Sequence, residues 1–248
     1  MLAIIQRSPD DTNKVKMYES LFYDEDHFAR YDSPGTLGQK LGWVTEMLRI
    51  SQKLDYKRGI AEGYNCTGIV YEWMAADVKR NTSQWTTLIN TALKNYYQAR
   101  EVFNEIGLLY NSGGTAANIG WLIYATGRKE QGLDTLLVAK QILSAFKESV
   151  FLAGTLDQIA ILYHVRKDYS EALDYLLAAK TIYESTGKKR YLSLTYLQIA
   201  DNLDHLKKHD EALSYVDKSM VLASESDFKG INEEANKLLI SISKHRHR

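Results

Sequence analysis

Proline and cysteine are nearly missing from this chain. The first shortage excludes proline breaks from most of its helices, and the second excludes an internal disulfide. The 248 residues include two prolines, Pro9 and Pro34, so no proline interrupts a helix between Gly35 and Arg248. The single cysteine, Cys66, cannot form an internal disulfide, which fits a reducing compartment. We expect Cys66 to be a buried structural thiol rather than a reactive one.

An excess of charge of one sign is also missing. Lys and Arg together number 31, as do Asp and Glu, so the formal net charge is zero. A nucleic-acid-binding protein is expected to carry a strong basic excess, so we predict no nucleic-acid partner. No run of about 18 apolar residues is present, so we predict no membrane span. As the chain stands we expect a cytoplasmic location, or a periplasmic one if a signal peptide has been removed.

What the chain does contain is a small residue every 40 positions, at Gly120, Ala160 and Ala200. Each is followed by further residues at fixed offsets, first 12, then 4 and then 3 positions along the chain. These are Gly132, Leu136 and Ala139 in the first case, Ala172, Leu176 and Ala179 in the second, and Ala212, Val216 and Ser219 in the third. A fixed period of this kind indicates an array of helical repeats.

We interpret each repeat as a pair of antiparallel helices. Small residues such as Ala160 and Ala172 let two helix backbones approach closely, where a large side chain would separate them. Larger apolar residues at helical spacing, such as Ile159 and Tyr163, lie on one face and fill the space around that contact. The predicted fold class is therefore all-α.

The repeat offsets predict one solenoid domain over 1–248. Its units are 12–57, which is divergent, then 58–107, 108–147, 148–187 and 188–227, followed by a single C-terminal helix at 228–244.

One unit breaks the period. Gly68 and Ala92 are 24 residues apart instead of 12, so the unit 58–107 carries about 12 additional residues near 74–87. The segment between Trp73 and Trp85 is polar, and we predict a surface loop there. Such an insertion is either part of a binding face or a tolerated loop extension.

The repeat resembles the tetratricopeptide repeat, whose pattern is matched by Ile159-Ala160, Tyr163, Ala172, Leu176 and Ala179. The resemblance runs from about residue 12 to the C-terminus. It implies a right-handed superhelical solenoid of antiparallel helix pairs. The period of 40 residues exceeds the family's usual length of about 34, which helices longer by about one turn would explain.

Two segments narrow the resemblance. Ser8-Pro9-Asp10-Asp11-Thr12 and Leu54-Asp55-Tyr56-Lys57-Arg58-Gly59 look like the N-terminal repeat regions of Bacteroidetes-type signalling proteins, such as histidine kinases and adenylate cyclases. In that family the repeat region is the input part of the protein. The resemblance therefore implies a sensory, ligand- or partner-binding module of bacterial signal transduction.

The resemblance also implies where a partner binds, because the first helices of successive tetratricopeptide units line a concave face. Carried onto this sequence, that face consists of Glu62, Asn65, Glu72, Trp73, Ala117, Trp121, Tyr124, Asp157, His164, Asp201, Asp204 and His205. Its earlier part is aromatic and amide-bearing and its later part acidic with histidines, which favours a protein or peptide segment as the guest. In the alternative interpretation Trp73 and Trp121 simply pack between units.

No pattern of catalytic residues, cofactor binding or metal binding stands out. The chain has no glycine-rich phosphate loop, and Cys66 has no histidine at a helical spacing. His205 and His209 are four residues apart with Asp201 one turn earlier, which permits a metal site. Because Lys207 and Lys208 lie between the two histidines, we interpret His205 and His209 as solvated side chains instead of metal ligands. We therefore predict a non-catalytic chain without cofactor or metal.

A structural scaffold or self-association domain is the alternative function. Leu238, Leu239 and Ile242 form an apolar stripe on the predicted C-terminal helix. An exposed stripe of this kind would permit a homodimer.

Overall fold

The computed structural model describes residues 2–23, 34–146, 149–225 and 229–246, and within them the chain forms helices and turns without a strand. The predicted all-α class is confirmed. The twelve helices of these residues are α1 (Leu2–Arg7), α2 (Thr12–Tyr23), α3 (Pro34–Lys53), α4 (Lys57–Ala76), α5 (Ser83–Glu105), α6 (Leu109–Ala125), α7 (Lys129–Leu143), α8 (Val150–Val165), α9 (Tyr169–Thr186), α10 (Lys189–His205), α11 (His209–Glu225) and α12 (Lys229–Arg246). None of them is long and apolar enough to cross a membrane.

Contacts divide the chain into two compact units, Met1–Gly132 and Leu133–Arg248. The division falls inside α7. The boundaries of the individual repeats remain a prediction from the sequence.

In the first unit, α4 packs against α3 and against α5. Phe22, Met47 and Cys66 belong to one core cluster and are each 0% exposed. The expected burial of Cys66 is therefore confirmed. A second cluster is built around Tyr96, Ile119 and neighbouring apolar residues of α5 and α6.

In the second unit, α8 packs on α9, α10 packs on α9 and α11, and α12 covers α11 and part of α10. The small residues predicted at the helix contacts, Ala160, Ala172, Ala200 and Ala212, are at most 1% exposed. Each has larger apolar neighbours around it, as the spacing predicted. Close approach of helix backbones at these four alanines therefore organises the core.

Tight turns join the helices of a pair. The turn residues Gly127, Lys167 and Lys207 stand 40 positions apart and adopt left-handed backbone angles, with φ of 89°, 68° and 64°. Gly107 and Gly187 follow second helices and have φ of 73° and 66°, as expected for glycine beyond a helix C-terminus.

The predicted surface loop of the unit 58–107 is present but shorter than expected, because only residues 77–82 are outside the helices. α4 has 20 residues and α5 has 23. By comparison, α10 and α11 have 17 residues each, so most of the additional length is helical. The Thr82 hydroxyl accepts a hydrogen bond from the Trp85 backbone N–H at 3.2 Å, and Trp85 is buried against the core. This cap and the burial start α5 earlier than the polar sequence suggested.

The apolar stripe of the C-terminal helix contacts the core of its own unit. Ile242 is 0% exposed, and Leu238 and Leu239 are partly buried against the same cluster. The stripe is therefore not an exposed surface for self-association, because α12 turns it toward α10 and α11.

Gly132→Ala tests the role of small residues at helix contacts. A Cβ at residue 132 would meet the backbone N of Tyr124 at 2.7 Å and its Cα at 2.8 Å, and backbone cannot move aside as a side chain tip can. We expect a loss of about 1–3 kcal/mol in the free energy of unfolding, measured by urea denaturation. In the control Gly42→Ala, a Cβ meets nothing within 4 Å on α3, so a gain of about 0.5–1 kcal/mol is expected. Equal stability of the two variants would contradict the assignment of a close contact.

Candidate functional site

The first helices of neighbouring pairs are joined by hydrogen bonds between side chains. In the first unit these helices are α4 and α6, and in the second unit they are α8 and α10. Two of the bonds occupy equivalent repeat positions. The Thr115 hydroxyl donates to Asn65 Oδ1 at 3.2 Å, and the Thr195 hydroxyl lies 3.3 Å from both carboxyl oxygens of Asp157.

A buried polar network in the first unit surrounds Glu62 and Asn65, which are 3% and 8% exposed. Asn111 donates from Nδ2 to Glu62 Oε1 at 2.7 Å. Asn65 donates from Nδ2 to the Tyr23 hydroxyl at 3.2 Å, and that hydroxyl lies 3.5 Å from Glu62 Oε2. Both predicted site residues are thus bonded within the protein, and their positions are fixed.

Burial raises the pKa of Glu62 from its ordinary value of 4.5 to about 7, and the negative charge of Glu19 acts in the same direction. The hydrogen bonds from Asn111 and Tyr23 oppose this shift without cancelling it. The Glu62 carboxyl therefore titrates near neutral pH.

Glu72 and Trp73 are also engaged inside the first unit. Glu72 accepts a hydrogen bond of 2.6 Å from the Tyr96 hydroxyl, and burial raises its pKa to about 7. The Trp73 ring stacks on Phe22 with ring centroids 5.9 Å apart and planes 6° apart. For Trp73 the packing interpretation describes the observed contact.

Trp121 and Tyr124 on α6 are half-buried, as Trp73 is. The Trp121 and Tyr124 rings stack with centroids 6.2 Å apart and planes 19° apart. Trp121 packs with one side against the cluster of Tyr96 and Ile119, as the packing interpretation predicts. Ala117, one turn before Trp121 on the same helix, is 6% exposed. The aromatic pair is therefore a partly accessible apolar feature of α6, with one side held by packing.

In the second unit, Asp157 on α8 accepts a hydrogen bond of 3.0 Å from the Tyr183 hydroxyl in addition to the one from Thr195. Burial raises the pKa of Asp157 to about 7, although both hydrogen bonds lower it. Asp157 thus corresponds to Asn65 of the first unit in repeat position and in its threonine partner.

His164, Asp201 and His205 come together at one end of α8 and α10. His164 Nε2 lies 3.6 Å from Asp201 Oδ2, and His205 Nε2 lies 3.8 Å from Asp201 Oδ1. The His205 ring stacks on Tyr169 with centroids 4.3 Å apart and planes 2° apart. We call these three residues, His164, Asp201 and His205, the histidine–aspartate cluster.

Asp204 is not on the accessible face that the resemblance implied for it. It is 4% exposed, and its two oxygens lie 2.6 Å from His209 Nδ1 and 2.6 Å from His245 Nδ1. These histidines belong to α11 and α12, which cover this side of α10. His209 is therefore held by Asp204, whereas Asp201 lies beside His164 and His205.

Sequence reasoning missed the partners that hold these side chains, namely Tyr23, Asn111, Thr115, Asn202 and Tyr169. One signal was available for Thr115, because Thr115, Thr155 and Thr195 recur at the 40-residue period. The others belong to no repeated position and become visible only when the helices are placed in space.

Comparisons with known proteins agree with this geometry. A family profile described as tetratricopeptide repeat matches residues 151–224. No curated protein matches the sequence.

Several solved structures share the fold. Aspartyl phosphate phosphatase F from Bacillus subtilis aligns with a TM-score of 0.67 and 18% identity over 82% of this chain and 51% of that chain. A signal transduction ATPase with numerous domains and a tetratricopeptide repeat sensor, from Pyrococcus horikoshii, aligns with a TM-score of 0.68 and 15% identity over 97% of this chain and 35% of that one. A Rap protein complexed with competence and sporulation factor aligns with a TM-score of 0.63 and 14% identity over 93% and 69% of the respective chains. This chain thus spans about half of the phosphatase and about a third of the ATPase.

The fold and its repeated helix contacts define an all-α helical repeat protein. Residues 151–224 match the tetratricopeptide repeat profile, and the chain has the fold of tetratricopeptide-like helical repeat proteins.

Glu62→Gln tests the buried network through the pH dependence of stability. The folded pKa of about 7 lies above the ordinary 4.5, so the stability contributed by the protonated carboxyl is fully present below pH 4.5 and is lost as pH rises through 7. Glutamine keeps an acceptor for Asn111 and cannot ionise. Between pH 4.5 and 8, the free energy of unfolding should fall by roughly 2–3 kcal/mol more in the wild type than in the variant, measured by urea denaturation.

Glu46→Gln is the matched control. The Arg49 side chain holds the pKa of Glu46 below its usual value, so its contribution has the opposite sign and is lost as pH falls. A Glu62→Gln variant with the same pH profile as the wild type would contradict the assignment.

Proposed function

We propose that this chain is a non-catalytic protein- or peptide-binding module that acts as the sensory input part of a bacterial signal-transduction protein. The observation that carries the proposal is a set of first-helix side chains that stay partly accessible while internal contacts fix their orientation. They are Trp121 and Tyr124 in the first unit and His164, Asp201 and His205 in the second. A side chain that is already ordered loses little conformational entropy on binding, so a partner meets a preorganised surface.

The first unit supplies an apolar anchor point. The Trp121–Tyr124 stack is half-exposed, and tryptophan and tyrosine are the residue types that contribute most at protein interfaces. α6 also carries Asn111, whose amide is fixed by Glu62. This combination suits a peptide with an apolar side chain and free backbone polar groups.

The second unit supplies polar and ionisable groups. Asp201 and His205 side chains are each 43% exposed, and that of His164 is 30% exposed. A carboxylate with two imidazoles suits hydrogen-bond donors and positively charged groups of a partner. The chemistry that each unit offers to a partner is therefore different.

The comparisons support the same class of function. One structural relative is described as a complex with competence and sporulation factor, and another as carrying a tetratricopeptide repeat sensor. Both are below 25% identity to this chain, so they bear on function here only as support for the proposal.

Trp121→Ala tests peptide binding. A random peptide-display screen on the wild-type chain should select binders, and the affinity of a selected peptide is then measured by isothermal titration calorimetry. If Trp121 is an interface anchor, the substitution should weaken binding by about 30-fold or more, since anchor residues contribute about 2 kcal/mol or more.

The matched control is Tyr97→Ala, because Tyr97 is 49% exposed on α5, a second helix. The control should bind like the wild type, and circular dichroism should show equal helix content in all three proteins. Failure of the screen to select any peptide, or equal affinity of both variants, would contradict the proposed surface.

A further inference from the structure

We propose that the histidine–aspartate cluster is a binding site for a divalent first-row transition metal ion, with Zn²⁺ as the reference ion. The site goes beyond peptide binding and rests on different residues from the Trp121–Tyr124 stack. It joins α8 to α10 within the second unit.

The ligand atoms already face one another. Asp201 lies between the two imidazoles, 3.6 Å from His164 Nε2 and 3.8 Å from His205 Nε2, and all three ligand atoms lie within 4.8 Å of one another. Tetrahedral bonds of about 2.1 Å would place neighbouring ligand atoms about 3.4 Å apart. The 3.6 Å and 3.8 Å distances go to different oxygens of Asp201, and one ligand atom from each residue lies within 4.8 Å of the others. Side-chain movements of about 1 Å would therefore bring the three atoms to a spacing of about 3.4 Å.

A buried amide sets the tautomer of His164. Asn202 is 2% exposed and donates from Nδ2 to the Gln198 carbonyl at 2.8 Å, which turns its Oδ1 toward His164 Nδ1 at 3.1 Å. Because Oδ1 only accepts, His164 Nδ1 must carry the proton. The Nε2 lone pair of neutral His164 then points into the cluster, and histidine ligands of metals are typically held by such a second hydrogen bond.

The ring of His205 is held as well. It stacks on Tyr169 with planes 2° apart, and the His164 ring meets the same tyrosine nearly edge-on with centroids 5.3 Å apart. Asp201 and His205 are four residues apart on α10, which places both on one helix face. Packing therefore limits the reorientation of both imidazoles.

The donor set selects the ion. Two imidazoles and one carboxylate are ligands of zinc and other first-row transition ions, whereas Ca²⁺ and Mg²⁺ prefer oxygen ligands. The three side chains are 30% to 43% exposed, so an ion can enter from solvent. Three protein ligands leave at least one coordination position for water or a donor atom from a partner.

The test is calorimetric titration of the full chain with ZnCl₂ in a non-chelating buffer. We expect saturable binding of one Zn²⁺ per chain and a higher Tm with zinc. His164→Gln, Asp201→Asn and His205→Gln, each made singly, should weaken binding by more than about 100-fold. Asn202→Ala, which removes only the second hydrogen bond, should weaken it by about 10–100-fold.

The control is the double variant His209→Gln, His245→Gln. It removes histidines bonded to Asp204 and leaves the cluster intact, so zinc affinity should stay at the wild-type value. His164→Gln is the decisive variant, because a metal site formed by His205 and His209 would not involve His164. Co²⁺ offers a second readout, since coordination by the cluster should give visible absorption that His164→Gln abolishes.

Three results would overturn the site: no zinc binding by the wild type, wild-type affinity in His164→Gln, or loss of binding in the control variant. Peptide binding is measured separately through Trp121. Failure of either proposal is therefore distinguishable from failure of the other.

Discussion

Close approach of helix backbones at small residues is the constraint on which the rest of this structure depends. Ala160, Ala172, Ala200 and Ala212 are at most 1% exposed, and a contact made through alanine cannot be relieved by changing a rotamer. The contacts therefore fix how each helix pair packs within the second unit. They also fix how the first helices of neighbouring pairs lie side by side, which brings Asp157 of one within hydrogen-bond distance of Thr195 of the next.

The same geometry places polar side chains between the first helices of neighbouring pairs. Burying these side chains costs free energy of folding. Burial raises the pKa of Glu62, Glu72 and Asp157 to about 7 in each case, so ionisation at neutral pH opposes folding at three places. Apolar residues would avoid this cost. What the polar residues provide instead is directional bonding that holds the neighbouring face in one arrangement, as Asn111 and Glu62 do in the first unit.

The parts of the fold that could be predicted are those set by local and periodic signals. The small residues of each helix contact repeat along the chain, so one sequence contains several copies of the signal. The all-α class follows from the same repetition. The length of the inserted loop was overestimated because residues 75–84 are polar like a loop. The burial of Trp85, which helps to fix the start of α5, depends on tertiary packing.

The site was predictable only in outline. The resemblance placed twelve residues on one face, but Asp204 is turned inward because His209 and His245 close over it from other helices. Similarly, the sequence spacing paired His205 with His209, whereas the structure brings His164 to His205 from another helix with Asp201 between them. Partners outside the repeat pattern leave no local signal, as with Tyr183 and Asp157, 26 residues apart, and Asn111 and Glu62, 49 residues apart.

The accessible face of the second unit carries the histidine–aspartate cluster, so the binding of a partner at this face is thermodynamically linked to the binding of the metal. If a partner donates a ligand to the open coordination position, metal and partner each strengthen the binding of the other by the same factor, as thermodynamic linkage requires. If instead a basic partner group pairs with Asp201, it competes with the metal for one carboxylate and the coupling is negative. The sign of that coupling therefore reports which groups of the partner approach α8 and α10.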